Sequence, residues 1–433
     1  MRAPSSRPLS RQRARRERGV ALMIVIISIT LLTVVATDFA FNTRVDLQLA
    51  ANHRDDTRAY FLAKSGIGMA RLVLKFQAQI DKSPIPGLPA AAQALLPPGQ
   101  AGGGAAGINL QVWRMIKIDC HMLQGMVADP DPREQPPARV ADTEFDREFS
   151  EVAERQQRRS FGGFEGCFQA RISDEEERLN LVRLDAPQLS SQPVVLGLYE
   201  LLSDKRFEFL FEREDANRVK VNPQEVLINL KDWIDEDEMQ SSLNLSGQGD
   251  VFLRGFSDEN YPYDSYQTRY EAKNARFDSV DELFMVHGVN DAFMAAFRDR
   301  LTVYPDVNAR LNINTDDPMM LYAAIRSVAD PARPDPRLAD PVFVDRLIQQ
   351  IRAAKMFAYF GMSVNDFITV VAAAGVPINS SIQNNVANNR WVSDKSTTYR
   401  IESFGEAGNV MKKITAVVRL DEGLGRLVYW REE

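Results

Sequence analysis

Hydrophobic and polar positions change their period along this chain, and each change predicts a different kind of structure. Residues Val20 to Thr37 (VALMIVIISITLLTVVAT) run eighteen positions without a charge, close to the ~20 residues with which a helix crosses about 30 Å of hydrocarbon. Beyond them Phe39, Val45, Leu47, Leu49, Tyr60, Phe61, Leu62, Ile67, Met69 and Leu72 continue an apolar pattern, while Arg44, Asp46, Arg54, Asp55, Asp56 and Arg58 supply a wet face. No proline falls between Val20 and Pro84. A single helix is therefore predicted over residues 20–78, with 20–37 in lipid and the rest outside it.

The chain is then punctuated differently. Ser83 to Gly107 is rich in Pro, Gly and Ala and reads as a linker. Ile108 to Asp119 alternates apolar and polar residues, as a half-buried strand does. A polar, acidic and arginine-rich insertion from Ala128 to Arg159 reads as a loop. Alternation resumes at Phe164 to Ile172, and a short strand at Arg178 to Val182 follows the acidic turn Asp174 to Glu177. From Pro187 to about Asn389 the spacing becomes helical, with segments at Val194–Leu202, Pro223–Ile234, Val280–Val286, Asp291–Leu301, Pro318–Ser327, Pro341–Ala354 and Val364–Ala374. Strand patterns return at Thr398–Gly405, Val410–Leu420 and Arg426–Arg431. The expected class is α+β: a long N-terminal helix on a small antiparallel sheet that a large all-helical domain interrupts. The corresponding boundaries are a leader at 1–19, the helix at 20–78, the first part of the sheet domain at 79–186, the helical insertion at 187–390 and the closing strands at 391–433.

Charge orients this arrangement. Arg2, Arg7, Arg11, Arg13, Arg15, Arg16 and Arg18 face a single Glu17 in the first nineteen residues, a head of +6 on a chain of net charge −7. The remainder thus carries −13. Arginines before the apolar run and Asp38 after it place the N-terminus in the cytoplasm and the body outside the inner membrane, by the positive-inside rule. A cleaved secretory signal fits less well, because the apolar run exceeds a 7–15 residue signal core and no small-x-small site closes it. The acidic body disfavours phosphate backbones, whose binding draws on Lys and Arg. The two cysteines, Cys120 and Cys167, have no metal-ligand spacing, and only His53, His121 and His287 could serve a histidine-based centre. No nucleophile elbow, phosphate-binding loop, dinucleotide fingerprint or HExxH motif occurs. The chain is not expected to be an enzyme.

The junction RRERG/VALMIVIISI, a basic leader ending in Gly19 directly before Val20, resembles the leader of type IV pilins and pseudopilins. In those proteins a prepilin peptidase cuts after the glycine and methylates the new amine. Further segments follow in order: ISDEEERLNL (172–181), LKDWIDEDEM (230–239), SDENYPYDSY (257–266), KNARFDSVDELFMVHGV (273–289) and LNINTDDP (311–318). On these the chain is similar to the protein K family of type II secretion, the large minor pseudopilins. The resemblance implies a pilin-like sheet packed on the N-terminal helix, and a place at the pseudopilus tip. There the protein would nucleate assembly with minor pseudopilins of the I and J type and with the major pseudopilin, and support export of folded proteins across the outer membrane. The fifth residue after the junction is Ile24, where most such proteins carry the glutamate that meets a neighbour's amine, and a tip subunit needs no such group. The 128–159 insertion and the missing G-A-E before the tyrosines are further departures. Rival readings are a minor pilin of a type IV pilus or DNA-uptake machine, and a membrane-anchored nucleic-acid binder.

Three features could carry chemistry. Asp235 to Glu238 form an acidic run that is either a solvated face or, with Asp235, Asp237, Asp258 and Glu259 as ligands, a calcium site built from carboxylate oxygens. Ser279 to Leu301 has the outline of a helix-hairpin-helix, but Asp281, Glu282, Asp291 and Asp299 outweigh Arg298 and Arg300, which favours a packing unit over DNA binding. Cys120 and Cys167 each adjoin a strand that could pair with the other, so a disulfide between them is expected in an oxidising compartment, against two separate buried thiols.

Overall fold

The computed structural model describes residues 11–82, 109–120, 160–161, 164–212, 214, 220–245, 250–355, 360–386, 389–421 and 423–433. The linker at 83–107 and the insertion at 128–159 lie outside the described residues, as does the beginning of the leader.

Helix α1 runs unbroken from Arg11 to Lys82, 72 residues, or roughly 108 Å at about 1.5 Å per residue. The uninterrupted run of helix-compatible residues explains its length, and its two halves differ in surroundings. From Val20 to Val35 the large apolar side chains are exposed. From Ala59 onward one face is buried, through Ala59, Leu62, Ala63, Ile67, Ala70, Val73 and Leu74. Within the apolar half the hydroxyls of Thr30, Thr33 and Thr37 donate to the carbonyls of Ile26, Ile29 and Thr33 at 3.1, 2.7 and 2.9 Å. No hydrogen-bonding group of these threonines needs water, as a hydrocarbon surrounding requires.

The strands that frame the site are, in chain order, β1 (Ile118–Asp119), β2 (Cys167–Asp174), a hairpin of β3 (Met239–Leu243) and β4 (Phe252–Asp258), then β5 (Thr398–Ala407), β6 (Val410–Arg419) and β7 (Arg426–Glu432). Five of these form one antiparallel sheet in the order β7-β6-β5-β2-β1. Alternation along β5 turns Tyr399, Ile401, Ser403, Gly405 and Ala407 inward. There Gly405 lies so close to α1 that a Cβ would strike the Ala59 carbonyl. Ile414 to Val418 of β6 are buried without alternation, because both sheet faces are covered at that point. Ile414, Ala416 and Val418 join the core under α1, whereas Val417 joins the core of the inserted unit.

The chain between β2 and β5 builds that unit from α2 (Gln188–Leu202), α3 (Pro223–Asp232), α4 (Asp291–Phe297), α5 (Pro318–Val328), α6 (Pro341–Ala354) and α7 (Val364–Ala373). Helices α3, α5 and α6 start with proline directly after an Asn or Asp cap, the order that suits proline's missing N–H. Three sequence expectations change here. The insertion is not wholly helical, since β3 and β4 pair as an antiparallel hairpin. The strand expected over 108–119 is broken by a helical turn at Val112–Met115, which buries Trp113. The first limb of the expected helix-hairpin-helix is a 3-10 turn, Val280–Met285.

Candidate functional site

The C-terminal end of α3 and the loop after it carry carboxylates that converge with one from a neighbouring strand end. Asp232 and Asp235 are three residues apart, so the end of a helical turn puts them on one side. The β4 end brings Glu259 to meet them, and one carboxylate oxygen from each of the three lies within 4.8 Å of the others. All three residues are buried, Asp232 and Glu259 to 2% exposure. Asp232 Oδ1 accepts from the Ser241 amide at 2.9 Å, and Asp235 Oδ2 meets Lys231 Nζ at 3.1 Å. Asp235 Oδ1 and both Glu259 oxygens are buried with no hydrogen-bond partner among the described residues, a costly state for carboxylates unless a cation or proton completes them. Burial, opposed by the nearby Asn274 side chain and reinforced by the charges of Asp232, Asp235 and Asp237, pushes Glu259 up to about 7. Burial likewise pushes Asp232 up to about 6, although the Ser241 hydrogen bonds oppose it.

Of the four residues that the sequence nominated, the structure brings Asp235 and Glu259 together. Asp237 and Asp258 are exposed instead and cap local turns, accepting from the amides of Met239 and Asn260 at 2.9 Å each. Asp232 takes their place. Its signal in the sequence is the i, i+3 spacing to Asp235, which alternate positions along the acidic run conceal. A donor set of carboxylates alone, all oxygen, fits a hard cation such as calcium and not a soft metal. Trp233 beside it is fixed by its own hydrogen bond, Nε1 to Glu282 Oε1 at 3.0 Å.

A second acidic group joins the sheet to the inserted unit. Glu175 receives Arg178 and Arg400 at 2.8 and 2.6 Å and the Thr302 hydroxyl. Glu176 Oε1 accepts from the Thr397 amide and hydroxyl and the Thr398 amide at 2.9, 2.8 and 3.0 Å. Asp174 accepts from Asn312 Nδ2 at 2.9 Å, and Glu177 pairs with Arg114. Burial together with the Asp174 charge pushes Glu176 up to about 7. The segment 172–181 is therefore a joint whose carboxylates are spent on holding two units together.

Gly19 and Val20, the pair at which processing is expected, lie on α1, with open space around Gly19 and Val20 exposed. That helix is, among the described residues, the one long and apolar enough to cross a membrane, with a most apolar window of mean hydropathy 2.7 that is not buried at all. Cys120 and Cys167 are joined in a disulfide that ties the end of β1 to β2, with Cα atoms 5.4 Å apart. His53 sits on exposed α1 and His287 contacts the Tyr266 hydroxyl at 3.1 Å, while His121 lies outside the described residues. In the hairpin of 279–301, Arg298 pairs with Asp281 at 2.5 Å and Arg300 with Asp317 at 2.8 Å. Both basic groups are thus occupied internally.

No protein-family model matches this chain, and no curated protein is similar to it. Among solved structures, it is similar to a chain of the GspK-GspI-GspJ complex from the type 2 secretion system of enterotoxigenic Escherichia coli. That alignment covers 62% of this chain and 80% of the other, with 17% sequence identity and a TM-score of 0.43.

Proposed function

We propose that this chain is a minor pseudopilin of type II secretion that sits at the pseudopilus tip, nucleates its assembly and supports export of folded proteins. The observation that carries the proposal is the division of α1, bare and apolar from Val20 to Val35 yet seated on the sheet from Ala59 onward. A helix held only by its second half can leave lipid and join a bundle of like helices without refolding its head. Because lipid contacts are as apolar as helix contacts, selectivity in that exchange has to come from head packing. The inserted helical unit makes the head too bulky to repeat along a fibre, and Ile24 in place of a glutamate suits a subunit with no neighbour ahead of it. The partners are then minor pseudopilins of the I and J type, the major pseudopilin and the prepilin peptidase that cuts after Gly19. The arginine-rich leader supports a cytoplasmic N-terminus and a periplasmic body, where the Cys120–Cys167 bridge would persist.

Calcium is the cofactor this reading adds, held by Asp232, Asp235 and Glu259, where it would neutralise buried carboxylates and fix the end of α3 to the β3–β4 hairpin. Two experiments test these statements. Gly19→Leu should block leader removal and secretion together, and normal processing of that variant would defeat the pseudopilin reading. Chelator should lower the melting temperature of the purified protein, and an unchanged value with and without calcium would remove the metal from the account.

A further inference from the structure

Lys231 is placed where a second cation would otherwise be needed. Its ammonium lies 3.1 Å from Asp235 Oδ2 and 2.9 Å from Asp185 Oδ1, and its side chain is 13% exposed. Asp235 is therefore split: Oδ2 is held by the lysine, whereas Oδ1 is buried without a hydrogen-bond partner among the described residues, and the carboxylate lies in the cluster with Asp232 and Glu259. Asp185 closes the short 3-10 turn Leu181–Asp185 next to the sheet joint, and its own side chain is 41% exposed, so it can keep the ammonium hydrated on the outer side.

Resting on the calcium reading above, we propose that Lys231 is a tethered internal cation that sets the affinity of the carboxylate site, releasing Asp235 Oδ2 to an incoming divalent cation and withdrawing to Asp185. The site as it stands offers three unpartnered oxygens, one from Asp235 and two from Glu259, whereas calcium takes about six to eight oxygens. Freeing Asp235 Oδ2 makes that carboxylate available to bind through both oxygens. Lysine and calcium therefore compete for one carboxylate at close range, where like charges repel through a poorly screening interior. Asp185 is the lysine's alternative berth, so removing the lysine and removing its berth should act in opposite directions. The geometry assigns Lys231 a positioning role, since it orients and rations a ligand without being one.

The test is calorimetric titration of calcium into the full-length chain in detergent, pre-stripped with chelator, for wild type, Lys231→Met and Asp185→Asn. Lys231→Met should bind calcium at least tenfold more tightly than wild type, while its calcium-free form melts at a lower temperature. Asp185→Asn should bind at least threefold more weakly, because the ammonium then has Asp235 alone to hold. A Kd within twofold of wild type in both variants overturns the proposal and leaves the calcium reading intact. Absence of calcium binding in wild type and in both variants overturns the calcium reading itself, and this proposal with it. Binding that appears only in Lys231→Met supports the internal cation as a full substitute for the metal. If Lys231→Met does not fold, the half-exposed Asp185→Asn decides the matter alone: weaker binding upholds the proposal and unchanged binding overturns it.

Discussion

Gly405→Ala should unseat α1 from the sheet. The new Cβ would strike the carbonyl oxygen of Ala59 and the amide nitrogen of Ala63. Both are backbone atoms of a continuous helix, so no side chain can turn aside. Relief requires α1 to lift by on the order of 1 Å, and a gap of that size forfeits about a quarter to a half of each dispersion contact. A buried aliphatic side chain makes ~50 contacts worth ~0.1 kcal/mol each, so losing a quarter costs ~1 kcal/mol for each of the neighbours Leu62 and Ile67. With strain added, the expected destabilisation is about 3 kcal/mol, the upper end of what overpacking costs. Gly66 faces the sheet too, but its collision is with the Ser403 hydroxyl, a side chain that can rotate, so Gly66→Ala should cost less. Gly68 has nothing within 4 Å, and Gly68→Ala should stabilise the helix by ~0.5–1 kcal/mol. Urea unfolding of the full-length chain in detergent can be followed through Trp113, which packs edge-on against Tyr399 in this core at 5.5 Å between ring centres. The midpoint for Gly405→Ala should fall by about 1 M or more at a slope of ~1–3 kcal/mol/M. A Gly405→Ala midpoint equal to that of wild type would refute the close seating of α1 on β5.

Other expectations follow from the same structure. Reducing the Cys120–Cys167 bridge, which spans a sequence separation of 47 residues, should cost about 4 kcal/mol by the loop-entropy relation, and an unchanged melting temperature in dithiothreitol would contradict this. Glu176 is held up at about 7 against an ordinary 4.5, so between these values the folded chain binds more protons than the unfolded one and stability must fall as pH rises. Melting scans from pH 5 to pH 8 should show that decline, with a shallower slope in Glu176→Gln, and identical slopes would remove Glu176 as its source. Breaking the joint with Arg400→Met strips Glu175 of a buried partner and should destabilise by ~3 kcal/mol or more, which denaturant midpoints will report.

Much of this was legible because the signals were long or strictly periodic. A proline-free stretch with an apolar run of eighteen residues specifies α1, and alternation specifies β5, where Tyr399, Ile401, Ser403, Gly405 and Ala407 all turn to one side. Capped prolines at Pro223, Pro318 and Pro341 gave the starts of α3, α5 and α6. The hairpin was not legible, because MQSSL in β3 neither alternates nor carries β-branched residues, and its pairing with β4 is a tertiary fact. The same blindness affected the candidate metal site. Asp237 and Asp258 look like ligands in the linear run, yet each is spent on a turn amide. Asp232 looks like an ordinary helical residue until Glu259 arrives from 27 positions away. At 112–115, the alternation of apolar and polar residues was satisfied by a helical turn, which buries Trp113 as well as a strand would.

The central claim is that the mature chain begins at Val20 and keeps α1 as its membrane anchor. Intact-mass analysis of the protein extracted from membranes tests it most directly. The account predicts a chain that starts at Val20, carries one added methyl on its amine and retains the whole apolar half of α1. A mature chain starting beyond Thr37, with no lipid-embedded segment left, would contradict it.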